Sequence, residues 1–366
     1  MTKRCEELQG LKPLSFCALD VAAEAATHKH SRVARAATHE ASRVAAGLKF
    51  RRSMVRSVFL GGVIAAGALA AGALLAGAQQ APQQVPRSSG TLRSQTDLVT
   101  VLASVMDASN RPVPDLTQDA FQLSEEGVPQ KVEKFEADTN RPLDLALMVD
   151  ASISAHMDLK FETEAAAHFI RQVVRPGDTL SVFSFDESVT RLADFSSDVP
   201  KLQDAVRRVA PGAGTSIYDA IVLGSGALRG RPADRRRAIV LVTDGGETTS
   251  VSKFDQSRRA GVKSGALLYT VLIRPVKTES GRNTAGEHAL ITMTDSMGGD
   301  MFTLDDTSQM ADIFDQIDRE LRTQYLLAYY PQPTPPPASN RHLQLTVTGG
   351  YNVRYRKEYY TPAAPQ

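Results

Sequence analysis

The chain has 366 residues, enough for two domains with sizeable cores, and its 42 Lys/Arg against 41 Asp/Glu give a net charge of +1 that hides an uneven spread. Residues 1–78 hold 11 Lys/Arg and 5 Asp/Glu, leaving 31 and 36 for the body, a mildly acidic balance of −5 that excludes the basic footprint of a nucleic-acid binder. Both cysteines, Cys5 and Cys17, lie at the start, so the body has no disulfide framework, thiol nucleophile or cysteine-ligated metal.

Residues 1–53 read as an Ala-rich extension that is disordered, loosely helical or not translated. A basic patch, Lys49 to Arg56, precedes an apolar run from Val58 to Leu75 and the small residues Ala76-Gly77-Ala78, the three parts of a secretory signal. Residues 54–78 are therefore expected to be a signal peptide with translation starting at Met54. An uncleaved anchor competes, because a run of about 18 residues is at the lower edge of a membrane span. No Cys follows the run, which rules out a lipoprotein anchor. Both readings put the body outside the cytoplasm, secreted, periplasmic or anchored. Residues 79–96, polar with prolines, form a linker.

From 97 to 137 the pattern is β: Leu98–Met106, Phe121–Leu123 and Val132–Phe135, with turns at Asp107–Asn110 and Glu125–Gly127. Three or four short strands need further partners. Residues 325–360 offer them in Tyr325–Tyr330, Leu343–Val347 and Tyr351–Tyr355, the last two read as a hairpin around Gly349-Gly350. The expectation is one small all-β sandwich-like unit made from both flanks; two separate small sheets are the alternative.

The centre, 142–324, alternates strand and helix. Strands are expected at Leu145–Val149, Leu180–Phe185, Val189–Phe195, Ala238–Val242, Leu267–Ile273 and Met301–Thr303. Helices are expected at Asp158–Val174, Lys201–Val209, Ile217–Leu228, Phe254–Ser264, Glu287–Ser296 and Ser308–Thr323. This is the pattern of an α/β fold: a doubly wound, mostly parallel sheet with helices on both faces. Ligands on such sheets bind beyond the carboxyl ends of the strands.

Three segments converge there. The apolar run ending at Val149 stops at Asp150, followed by hydroxyls at Ser152 and Ser154; alone, these residues could equally cap the next helix. In Gly212–Asp219, Thr215 sits in a glycine-rich loop before a helix, and Asp244 ends a second apolar strand before Gly245-Gly246. Oxygen-only donors suit a hard cation such as Mg²⁺ or Mn²⁺. Asp150-x-Ser152-x-Ser154, Thr215 and Asp244, in that order, resemble the metal-ion-dependent adhesion site of von Willebrand factor A domains, over about half the chain. The resemblance implies that Ser152, Ser154 and Thr215 ligate directly and that Asp150 and Asp244 act directly or through water. It also implies that the Asp150 and Asp244 strands are neighbours. Ile153 departs from the glycine often found between the two serines. The flanks, with Val113–Phe121, Glu126-Gly127 and the Tyr-rich terminal strands, look like the VWFA-related proteins of the acidobacterial type.

The loops Glu247–Lys253 and Arg274–Gly286 should lie on the metal face and carry partner specificity. The basic run Arg229–Arg237 should lie at the opposite end as a solvated charge cluster. Asp219 reads as structural and Asp186-Glu187 as a turn. His156, His168, His288 and His342 lack zinc spacing, Gly224-Ser225-Gly226 falls within a helix rather than a nucleophile elbow, and no phosphate loop is present. The functional expectation is a non-enzymatic, extracytoplasmic binding module that holds a protein partner's Asp or Glu carboxylate through the metal. The alternative is a structural or assembly component of a cell-envelope complex whose metal mainly stabilises the loops. A metal-assisted hydrolase finds no base and nucleophile pair.

Overall fold

The computed structural model describes residues 98–137, 141–152, 159–274 and 283–363. The N-terminal extension, the signal or anchor segment and the linker therefore fall outside the described residues, as do Ile153, Ser154, His156 and most of the loop after Arg274. Among the described residues, no helix is long and apolar enough to cross a membrane.

The first flank supplies β1 (Val99–Met106), β2 (Phe121–Glu125), the short β3 (Val128–Pro129) and β4 (Val132–Glu136). The centre then runs β5 (Leu143–Asp150), α1 (Leu159–Val173), β6 (Thr179–Phe185), β7 (Val189–Ser196), α2 (Val199–Arg207), α3 (Ile217–Arg229) and β8 (Arg236–Thr243). It continues with α4 (Phe254–Ser264), β9 (Leu267–Ile273), α5 (Thr284–Met297), β10 (Asp300–Leu304) and α6 (Met310–Arg322). The second flank adds β11 (Gln324–Tyr329), β12 (Asn340–Val347), β13 (Asn352–Tyr355) and β14 (Glu358–Tyr360).

The central sheet has the order β10-β9-β8-β5-β6-β7, parallel except for β7, which returns antiparallel along β6. The doubly wound α/β expectation is thus borne out. Every residue of β5 is buried, as a parallel strand covered on both faces requires. Its alternation divides two cores: Leu145, Leu147 and Val149 pack with α1, α2 and α6, while Ala146 and Met148 pack with α3, α4 and α5. Helix ends follow local chemistry. Asp198 caps α2 by accepting from Lys201 N, Asn283 caps α5 by accepting from Gly286 N, and Gly265 closes α4 at φ +68°. The chain steps from β5 to β6 on one side and later returns to β8 on the other, so the winding reverses between β5 and β8. Register pairs Val149 with Val242, which brings the carboxyl ends of β5 and β8 together at that reversal.

The flanking strands form two four-stranded sheets, β13-β1-β11-β4 and β14-β12-β2-β3, each with strands from both ends of the described chain. One apolar core serves both, with Val101, Phe121, Leu123, Tyr325, Leu327, Tyr329, Leu345 and Tyr355. The expected hairpin around Gly349-Gly350 is corrected: β12 pairs with β2 and β14, whereas β13 pairs with β1 through Val105 and Val353. Both glycines take positive φ, +104° and +74°, and carry the chain from one sheet to the other. Pairing across the turn loses to burial, because Leu343, Leu345 and Tyr355 reach the shared core from different sheets.

The basic run is a second correction. Rather than a solvated cluster, Arg236 is 4% exposed and donates to Arg141 O, Leu321 O and Gln324 Oε1. Arg231 Nε and Arg235 Nη2 bind the two oxygens of buried Asp144 at 2.9 and 2.8 Å. Asp144, at the start of β5, thus supplies the counter-charge for Arg231 and Arg235, while Arg236 is satisfied by neutral oxygens.

Candidate functional site

Asp150 ends β5 fully buried. Its Oδ1 accepts from Ser152 N at 2.9 Å, a local turn that an Asp side chain makes readily. Its Oδ2 accepts from Thr243 Oγ1 at 2.6 Å, across from the end of β8. Burial pushes the carboxyl up to about 6; the bonds from Thr243 and Ser152 oppose this, and the nearby Asp244 carboxylate adds to it. No described cationic residue pairs with Asp150.

Ser152, 2% exposed, bridges to the glycine-rich loop: Gly212 N donates to Ala151 O at 2.7 Å, and Ser152 and Gly212 form an isolated parallel bridge. Gly212 is required here, since a Cβ would stand 1.9 Å from Asp186 Oδ2. Thr215 is held through its backbone. Its N donates to Thr248 Oγ1 at 2.9 Å and its O accepts from Thr248 N and Thr249 N. No described residue hydrogen-bonds its Oγ1. Asp244 Oδ1 accepts from Gly246 N at 2.8 Å. A Cβ on Gly246 would lie 3.0 Å from Asp244 Oδ1 and 3.8 Å from Thr215 Oγ1, so the carboxylate and the hydroxyl flank one small space.

Asp150, Ser152, Thr215 and Asp244 thus gather at the carboxyl edge of β5 and β8, while Ser154 lies outside the described residues. The donor set fits a hard divalent cation: two carboxylates and two hydroxyl oxygens, no nitrogen or sulfur, and negative charge without a counter-ion among the described residues. Among the described residues, no three His, Cys, Asp or Glu side chains form a metal cluster, so hydroxyls would have to complete the coordination.

The loop after Asp244 is braced from beneath. Glu247 Oε2 accepts from Tyr218 N and Ser250 Oγ, while Oε1 accepts from Ser250 N. Asp219 receives Val251 N and Ser252 N at 2.8 and 2.9 Å. Two acids thereby sit at the amino end of α3, where free N–H groups and the helix dipole favour negative charge. The braced loop presents Val251 at 92% exposure. Sequence reasoning missed Thr243, Thr248 and Ser250; the hydroxyl-rich run Glu247-Thr-Thr-Ser250 was the available signal, and its partners lie about thirty residues away.

Residues 145–247 match the von Willebrand factor type A domain family. No curated protein matches the chain. Among solved structures, a von Willebrand factor type A protein from Catenulispora acidiphila shares 11% identity over 74% of each chain, with a TM-score of 0.44. The conserved hypothetical protein BatB from Bacteroides thetaiotaomicron shares 15% identity over 50% of this chain and 100% of its own, with a TM-score of 0.40. The von Willebrand domain of the type V pili tip protein Mfa5 from Porphyromonas gingivalis shares 14% over 50% and 96%, with a TM-score of 0.41. These are likenesses to which no functional reading is attached.

Proposed function

We propose that the von Willebrand factor type A domain of this chain is a non-enzymatic, extracytoplasmic module that captures a protein partner through a divalent metal, Mg²⁺ or Mn²⁺. The observation that carries the reading is the placement of buried Asp150 and half-buried Asp244 at one strand edge, without a cationic partner among the described residues and beside the Thr215 hydroxyl. Ser152, Ser154 and Thr215 would ligate directly, and Asp150 and Asp244 directly or through water. The metal would supply a Lewis-acidic position for an Asp or Glu carboxylate of the partner. This chain's own residues do the positioning: Thr243 orients Asp150, Gly212 ties the Ser152 loop to the Thr215 loop, and Glu247 and Asp219 fix the loop that surrounds the site.

Extracytoplasmic placement rests on the signal-like or anchor-like segment 54–78, which is also the proposed membrane contact. The test is partner capture from envelope and culture fractions in Mg²⁺, with and without EDTA and with Asp244→Ala. Capture lost in both conditions supports the reading. Capture that persists while EDTA lowers only the melting temperature would move the metal to a loop-stabilising role in an envelope assembly.

A further inference from the structure

The amino end of the central sheet carries a second feature, distant from the proposed metal site. A cavity of about 380 Å³ opens where the starts of β8 and β9 and the end of α4 meet β1 and the segment after β13. Its wall contains Arg235, Arg237, Lys263 and Arg356 and no acidic residue, and Arg235 is already paired with Asp144. The other three, Arg237, Lys263 and Arg356, have no carboxylate in ion-pair contact among the described residues. Arg237 donates only to the carbonyls of Ser264, Arg231 and Pro232. Arg356 Nη2 donates to Thr100 O at 2.7 Å with its guanidinium over the Tyr359 ring, and its Nη1 has no partner among the described residues. Lys263 is exposed, and its Nζ stands 5.2 Å from the centre of the Tyr360 ring. Carbonyls and aromatic faces hold such groups in place without cancelling their charge.

The lining also includes the apolar side chains of Leu98, Leu102, Val262 and Leu267, and Leu98 is left 43% exposed. Three cations without a carboxylate partner, sharing one cavity with apolar side chains, describe a site for an amphipathic anion. The volume is within the range of small-ligand pockets. A dianionic head meets three positive charges better than a single carboxylate does, and an arginine fork suits its oxygens. We infer that this cavity binds a small organic phosphate monoester, with the phosphate on Arg237, Lys263 and Arg356 and the apolar body against Leu98 and Leu267.

The test is titration calorimetry of the purified protein in EDTA, which silences any metal, with phenyl phosphate, inorganic phosphate and phenol as probes. Phenyl phosphate should bind, inorganic phosphate more weakly, and phenol not at all. Lys263→Glu, on an exposed side chain, and Arg356→Met should each weaken phenyl phosphate by about tenfold or more. Melting curves should show Lys263→Glu folded as the wild type, and Asp244→Ala should leave the affinity unchanged. Absence of phenyl phosphate binding, or binding unaltered by Lys263→Glu, overturns the site. Equal affinity for inorganic phosphate overturns the assignment of an apolar body.

Discussion

The two ends of β5 hold the same residue type in the same burial and opposite electrostatic states. Asp144, at the amino end, and Asp150, at the carboxyl end, are both fully buried. Burial pushes the Asp144 carboxyl up, but hydrogen bonds from Arg231, Arg235 and Thr179 outweigh it and leave the group below its ordinary value. At Asp150 burial wins and the neighbouring Asp244 adds to it, so that carboxyl rises to about 6. The difference is the counter-charge. The chain neutralises one acid with its own arginines, which completes a structural joint. The other acid is left with hydroxyls and a second carboxylate and no cationic partner among the described residues, the feature on which the proposed metal site rests.

Asn substitutions at the two ends should therefore have opposite signs in metal-free protein. Asp144→Asn strands Arg231 and Arg235 and should cost on the order of 3 kcal/mol in urea unfolding. A loss below about 0.5 kcal/mol would break the contrast. Asp150→Asn in EDTA at pH 7 removes a buried charge. A shift from 3.8 to about 6 corresponds to a penalty on the order of 3 kcal/mol. The variant should therefore gain up to about that amount, less what the altered bonds to Thr243 and Ser152 take back. It should also lose any rise in melting temperature on adding Mg²⁺ that the wild type shows.

The pH profiles should diverge in the same way. Because the folded Asp150 binds its proton more tightly than the unfolded one, its contribution to metal-free stability falls as pH rises from about 4 to 6 and then levels off. Asp144 is the reverse: with a folded value below 3.8, its stabilisation is complete above that pH and is lost as pH falls through the folded value. Urea unfolding between pH 3 and 7 of the wild type and the two Asn variants checks both slopes.

A smaller effect is expected at Gly246→Ala, whose Cβ would press on Asp244 Oδ1 at 3.0 Å. Mg²⁺ affinity should fall by roughly tenfold, about 1.4 kcal/mol, with stability changed by less than about 1 kcal/mol. Unchanged affinity would remove Asp244 from the coordination. The smallest effect on stability should come from Val251→Ala, within about 0.5 kcal/mol on an exposed tip. Capture of the partner should nevertheless weaken, since Val251 stands on the braced loop beside the site; equal capture would confine the interface to the opposite side of the metal.

Much of the central fold was legible along the chain. The apolar runs before Asp150 and Asp244, and the helical spacing from Asp158 to Val174, are local signals of burial, and the alternation of strand with helix is enough for a parallel sheet. Phe254–Ser264 and Leu267–Ile273 emerge with the expected bounds. The positions of Asp150 and Asp244 at strand ends were legible too, because each closes an apolar run, whereas Ser152 and Thr215 joined them only through the resemblance to the adhesion site. What burial pattern alone could not convey is which strand pairs with which, and which charge meets which. β12 and β13 look like a hairpin until the shared core separates them, and β14 is too short to announce itself. Arg229–Arg237 looks like a solvated run until Asp144, some ninety residues earlier, draws Arg231 and Arg235 inward. The Thr243 bond to Asp150 spans 93 residues. Periodicity is a property of neighbours in sequence, so the sequence by itself determined the elements and their order. Charge compensation and strand pairing are settled between residues far apart, so only the tertiary structure decided that one end of β5 is closed by arginines while the other has no cationic partner among the described residues.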